Sequence, residues 1–191
     1  MSPEKFLSSN VWVARMKTYF KVMDADQNGF LSLSEYEEIA ERLVQNQKDR
    51  SKDEEIRAVF RSLFNNFVAG GNQVDPETQI PYEEFLANAA KAVSLMQSSR
   101  EVGKRKNEVF FDFVDTDGSG EISREEYRKY LAIYSGGEDT DRADRAFDSI
   151  DVDGNGSITR AEFIEGHLHY WFESTSDPSY SPLPYGPLVD S

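Results

Sequence analysis

A chain of 191 residues with 35 acidic and 21 basic side chains, net charge −14, has room for one domain or two fused halves, and its negative excess disfavours nucleic acid and anionic lipid as partners. The absence of cysteine removes disulfide frameworks and Cys-based zinc sites, and is compatible with a reducing cytosol. Apolar residues at 38% suffice for a core, but no apolar run approaches the roughly 18 residues that span a bilayer, and residues 1–10 lack a basic-then-apolar leader.

The first predicted element is a helix on which Trp12, Met16, Tyr19, Phe20 and Met23 share one face. An Asp/Asn/Gly loop follows, then a helix carrying Tyr36, Ile39, Ala40, Leu43 and Val44. After a polar connector, 45–52, comes a third stripe of Ile56, Val59, Phe60, Leu63, Phe64 and Phe67. Beyond a second loop lie Phe85, Ala89, Val93 and Met96; Phe110, Phe113 and Val114 then lead into a third loop, with Tyr127, Tyr130, Leu131 and Tyr134 after it. Ser135-Gly136-Gly137 reads as a turn. Ala143, Phe147 and Ile150 enter a fourth loop, and Phe163, Ile164, Leu168 and Trp171 leave it. These stripes are the buried faces of amphipathic helices.

The loops repeat. Each ends in Glu followed by an aromatic: Glu35-Tyr36, Glu84-Phe85, Glu126-Tyr127 and Glu162-Phe163. Counting back eleven residues places the loop starts at Asp24, Gln73, Asp115 and Asp151, separated by 49, 42 and 36 residues. An internal repeat of this kind means four copies of one helix–loop–helix unit.

Loops one, three and four match D-x-[DN]-x-[DN]-G-x₅-E in oxygen chemistry, with Ser standing at the fifth position of loop three. Calcium is a hard cation that takes six to eight oxygens at about 2.3–2.6 Å. Asp24, Asp26 and Asn28 offer side-chain oxygens, Gly29 permits the sharp turn, Phe30 offers its carbonyl and Glu35 closes the shell with two oxygens, with Ser32 where a water or hydroxyl completes it. Loop three supplies Asp115, Asp117, Ser119, Glu121 through its carbonyl, and Glu126; loop four supplies Asp151, Asp153, Asn155, Ser157 through its carbonyl, and Glu162. Leu31, Ile122 and Ile158 at position 8 are expected to pair as short strands. Loop two differs: Gln73 lacks a carboxylate, Thr78 replaces the glycine, and Pro76 and Pro81 stiffen it, while Ile80 still occupies position 8. It is expected to pair with loop one without holding calcium. Three bound calcium ions would bring the formal charge from −14 to −8.

The expected fold is all-α: four EF-hand helix–loop–helix units in two packed lobes, with short β-pairings between loops. The boundaries fall at 1–98, with hand one active and hand two degenerate, at 99–172, with both hands active, and at 173–191. That last segment carries Pro178, Pro182, Pro184 and Pro187 and cannot be a regular helix; Tyr185, Leu188 and Val189 are expected to dock it on the body.

The opening 11–20, Val-Trp-Val-Ala-Arg-Met-Lys-Thr-Tyr-Phe, and the ending Tyr185-Gly186-Pro187-Leu188-Val189 resemble those of invertebrate sarcoplasmic calcium-binding proteins. The enlarged connection between the first two hands and the altered second loop fit as well. The resemblance implies a compact two-lobed body with the tail folded in, and a cytosolic (sarcoplasmic) calcium buffer whose ions exchange with Mg²⁺. A monomer without nucleic-acid, membrane or obligatory protein partner is expected, and no enzyme, since His167 and His169 are the only histidines and the loop carboxylates are committed to metal. One alternative is a calcium sensor of the calmodulin type, but four Met make a poor Met-rich groove. Another is a coelenterazine-using photoprotein or luciferin-binding protein: His167, Trp171 and Tyr185 resemble the C-terminal constellation of that group, while Met16 stands where its N-terminal histidine would be.

Overall fold

The computed structural model describes residues 2–47, 50–72, 74–75, 77–96, 100–175 and 181–189. Gln73 and Pro76 of loop two, Pro178 of the tail and the boundary drawn at 98/99 lie outside them, wholly or in part.

Helix α1 (Pro3–Leu7) starts with proline at its first turn, and its Phe6 ring lies 5.3 Å from Trp12. Five residues are too few to display a periodic stripe, so the sequence pattern does not reveal it. Ser9 Oγ accepts from Trp12 N–H and caps α2 (Asn10–Met23), whose predicted stripe is wholly buried. Strand β1 (Phe30–Ser32) leads into α3 (Leu33–Asn46), and a 3₁₀ turn, Arg50–Lys52, leads into α4 (Asp53–Leu63). There the helix widens into a π-turn, Phe64–Val68, marked by Ala69 N–H donating to Phe64 O five residues back, and Gly71 N–H donating to Asn65 O closes its end. The sequence reading placed Phe67 on the α4 stripe. It falls within the wider turn and still packs on the core, its ring 4.7 Å from Trp171.

Strand β2 (Gln79–Pro81) and α5 (Tyr82–Met96) complete the first half. The second half runs α6 (Arg100–Val114), β3 (Glu121–Ser123), α7 (Arg124–Ser135), α8 (Thr140–Ile150), β4 (Ser157–Thr159) and α9 (Arg160–Phe172). Gly136 at φ +68° ends α7 in the left-handed conformation, where a side chain would be strained. β1 pairs with β2 and β3 with β4, antiparallel, with Leu31 opposite Ile80 and Ile122 opposite Ile158, as their place in the loops predicts.

The halves share one continuous core. Phe60 meets Phe110 at 5.8 Å and Tyr134 at 5.9 Å; Trp12 Nε1 donates to Trp171 O, and Gln47 Nε2 to Phe113 O. Arg15 is fully buried, with Nη1 donating to the carbonyls of His169 and Glu173 at the C-terminal end of α9, where a cation is favoured. Arg57–Glu41 and Arg128–Asp144 pairs decorate the surface and add little.

The tail segment 181–189 lies over the junction. Tyr185 is buried among Tyr19 (5.1 Å), Tyr170 (5.3 Å) and His167 (6.1 Å), and its carbonyl accepts from Arg142 Nε. Tyr127 OH donates to Pro184 O, Leu183 N–H to Ser149 Oγ and Val189 N–H to Thr18 Oγ1. The expectation for Leu188 needs correcting: it is 38% exposed, and this end of the tail is held through backbone instead.

Candidate metal centre

Each of loops one, three and four begins where a helix ends and folds around its first carboxylate. Asp24 Oδ1 accepts from Asn28 N–H and Oδ2 from Gly29 N–H, both at 3.0 Å. Asp115 takes the N–H groups of Ser119 and Gly120, and Asp151 those of Asn155 and Gly156. For the chain to turn this tightly position 6 must be left-handed, and Gly29, Gly120 and Gly156 have φ of +86°, +88° and +88°. Position 4 is left-handed too, a requirement the sequence reading did not notice. Gly118 and Gly154 meet it without strain, whereas loop one has Gln27 at φ +58°.

Position 12 has two duties. Glu35 Oε2 accepts from Ser32 N–H and hydroxyl while Ser32 Oγ accepts from Glu35 N–H. The same reciprocal capping box joins Ser123 with Glu126 and Thr159 with Glu162. It fixes the start of α3, α7 and α9. The other oxygen reaches back across the loop, accepting from Ala25, Thr116 or Val152 N–H. One carboxylate therefore ties the outgoing helix to the loop entrance. The S/T-x-x-E spacing was legible in the sequence, but position 9 was read there only as a completing ligand. In loop two position 9 is Pro81, which cannot form the box.

The result is three clusters: Asp24, Asp26 and Glu35; Asp115, Asp117 and Glu126; Asp151, Asp153 and Glu162. In each, one oxygen from every residue lies within 4.8 Å of the others. Two unit charges at about 4 Å repel by roughly 1 kcal/mol in water and about 4 near a protein surface, so such convergence disfavours itself unless a cation intervenes. Burial adds to this in loop one, raising Asp24 and Glu35 above the ordinary carboxylate range. At Glu126 burial acts in the same direction but is outweighed by hydrogen bonds from Ser123, Thr116 and Asp117, which hold it below that range. Thr116 supplies a hydroxyl where loop one has Ala25.

The remaining predicted residues line the same loops. Asn28 and Asn155 donate to Asp26 and Asp153 through Nδ2, and their Oδ1 atoms accept from Phe30 and Ser157 N–H. Ser119 Oγ donates to Glu121 O at 2.8 Å. The Phe30 side chain is 38% exposed, consistent with a position used through its carbonyl. One contact went unforeseen: Ser157 Oγ donates to Glu121 Oε2 at 2.6 Å, linking loops three and four. In loop two, Asp75 Oδ1 accepts from Glu77 N–H, and among the described residues no third carboxylate joins them. The donor set of each cluster is all oxygen and carboxylate-rich, which fits a hard divalent cation such as calcium.

A second feature lies at the junction of the halves. A cavity of about 80 Å³ is walled by Tyr19, Phe67, Tyr134, His167, Trp171 and Tyr185. His167 Nδ1 lies 2.8 Å from Phe163 O, while Nε2 has no hydrogen-bond partner among the described residues. Full burial pulls its pKa down to about 4, so the ring is neutral.

Two family models match the sequence: an EF-hand domain pair over residues 104–167 and a single EF hand over residues 16–40. The sarcoplasmic calcium-binding protein of Hediste diversicolor is 31% identical over 65% of this chain and 70% of its own. The luciferin-binding protein of Renilla reniformis is 30% identical over 68% and 69%. Among solved structures, calcium-loaded, apo coelenterazine-binding protein from Renilla muelleri superposes with TM-score 0.67 at 26% identity, over 98% of this chain and 99% of that one.

Proposed function

We propose that this chain, which belongs to the EF-hand family of sarcoplasmic calcium-binding proteins, is a calcium buffer that holds three Ca²⁺ ions on loops one, three and four and exchanges them with Mg²⁺. The observation that carries this reading is the coincidence of three equivalent carboxylate clusters with helices whose apolar faces are already filled. In this reading Asp24, Asp26, Asn28, Phe30 O and Glu35 hold the first ion. Asp115, Asp117, Ser119, Glu121 O and Glu126 hold the second, and Asp151, Asp153, Asn155, Ser157 O and Glu162 the third. Loop two is the structural partner of loop one. Bound ions relieve the repulsion within each cluster, so binding stabilises the fold. A sensor needs an apolar surface to present. The large exposed apolar side chains among the described residues, Leu7, Phe30, Leu95, Val152 and Leu188, each belong to a different element, which argues against such a face. The protein works as a non-enzymatic cytoplasmic monomer, without an obligatory protein partner.

Calorimetric titration of metal-free protein with calcium, with and without millimolar Mg²⁺, tests this. Three sites weakened by Mg²⁺ are expected, and E35Q, E126Q and E162Q each reduce the count by one. A fourth site would refute the assignment of loop two, and sites indifferent to Mg²⁺ would refute the buffer.

A second reading rests on the cavity, where His167, Trp171 and Tyr185 meet as in the predicted constellation. Binding of coelenterazine would place its polar edge against His167 Nε2. Against it, pockets for ligands of that size run to about 300–1,000 Å³, and this cavity is about 80 Å³. Coelenterazine that quenches tryptophan fluorescence with one-to-one stoichiometry would establish it; no quenching would dismiss it.

A further inference from the structure

We propose that the crevice beside α5, whose inner end is Lys106 of α6, binds a lipophilic carboxylate of the fatty-acid class, with the carboxylate on the Lys106 ammonium and the chain along the crevice.

The reasoning begins with charge. On a chain carrying 35 acidic residues, carboxylates are expected along any sizeable concavity. The crevice holds about 450 Å³, within the roughly 300–1,000 Å³ of small-molecule sites, and it shares Asn66, Met96 and Lys106 with the aromatic cavity beneath it. Among the described residues neither wall contains an Asp or Glu, and the charged groups on them are Lys91 and Lys106. A concavity whose described lining offers cations and no acids, on so acidic a protein, is complementary to an anion.

The second observation is the state of Lys106. It is half-buried, burial depresses its basicity, and no carboxylate among the described residues offsets that loss. A desolvated ammonium without a counter-charge is unfavourable, and an incoming carboxylate would supply the missing partner. The neighbouring surface suits an apolar chain: Leu95 is 67% exposed on the crevice wall, next to Ala92 and Met96. The opposite wall has Gly70 and Gly71, which bring backbone rather than side chain to the groove. No residue of the three carboxylate loops lines the crevice, so its failure and theirs are separable.

Calcium-loaded protein, freed of excess metal, is titrated with decanoate and with decan-1-ol, which has the same chain without the charge. Wild type is expected to bind one decanoate at least tenfold more tightly than the alcohol. K106M should bring the two within twofold, K106R should keep most of the preference, and both variants should retain the wild-type calcium stoichiometry. Equal affinity for acid and alcohol in wild type, a preference that survives in K106M, or no decanoate binding up to millimolar concentration would each overturn the proposal. The first of these needs no variant, so a poorly folded K106M leaves the test intact.

Discussion

Replacing Gly186 by alanine tests how the tail is fastened. Gly186 has φ +87°, and a Cβ there would lie 2.4 Å from Arg142 Cγ and 2.8 Å from Nε. Left-handed backbone costs a non-glycine residue about 1–2 kcal/mol. Arg142 must also swing aside, losing the bond from its Nε to Tyr185 O, and a hydrogen bond from a charged group contributes about 1.5–3 kcal/mol. Together the change destabilises the docked tail by about 2.5–5 kcal/mol. The loss measured in urea unfolding is that figure or the docking free energy of the tail, whichever is smaller. If the tail lets go, chymotrypsin gains access to Tyr185, which is 6% exposed when docked. The double mutant cycle with R142A isolates the clash. In the R142A background G186A should cost only the backbone strain, about 1–2 kcal/mol. Additive effects, or a G186A protein that loses less than about 1 kcal/mol and keeps Tyr185 protected, would refute this account of tail docking.

Three further outcomes follow from the loops and the core. Q27G should raise the urea stability of metal-free protein by about 0.5–1 kcal/mol, because glycine relieves the left-handed strain at φ +58° and gives back only part of it as chain entropy; a loss would show that the Gln27 side chain contributes. His167 stays neutral in the fold down to about pH 4, while the unfolded imidazole protonates below about 6.5, so the folded state binds fewer protons and stability falls as pH drops through this window. Unfolding free energy should decline by about 2 kcal/mol more between pH 7 and 5 in wild type than in H167F, and parallel profiles would contradict it. Ser157 and Glu121 should show a coupling of about 0.5–1 kcal/mol in a double mutant cycle on metal-free protein, less than a buried hydrogen bond to a carboxylate contributes because this one is exposed to water; strict additivity of S157A and E121A would dismiss the link between loops.

The loops were legible because their chemistry is contiguous. Asp24 to Glu35 folds on itself, so twelve consecutive residues state both the carboxylates that converge and the turn that gathers them. The helical stripes were legible for the same reason, since Trp12, Met16 and Tyr19 meet the core through a period the chain repeats locally. What escaped depends on distant partners or backbone geometry. Arg15 reads as a solvated cation until the carbonyls of His169 and Glu173 are seen to receive it. The π-turn at Phe64–Val68 leaves no periodic trace. Nothing local told that Gln27 would be left-handed, although Gly118 and Gly154 at the same loop position offered the hint. Leu188 was misplaced because apolar composition suggests burial but cannot say which way a proline-rich segment turns.

The tail also bears on how the molecule comes into being. Tyr185 supplies a ring to the centre of the core, and Trp12 and Arg15 find their partners at Trp171, His169 and Glu173. Chains emerge from the ribosome in order, and contacts so far apart in sequence form late. During synthesis the first helix–loop–helix pair therefore waits with Tyr19 and Phe67 packed on each other and on Phe85 but without the covering rings of Trp171 and Tyr185. Each nascent molecule passes through an interval in which the carboxylates of loop one are all made before the core can close.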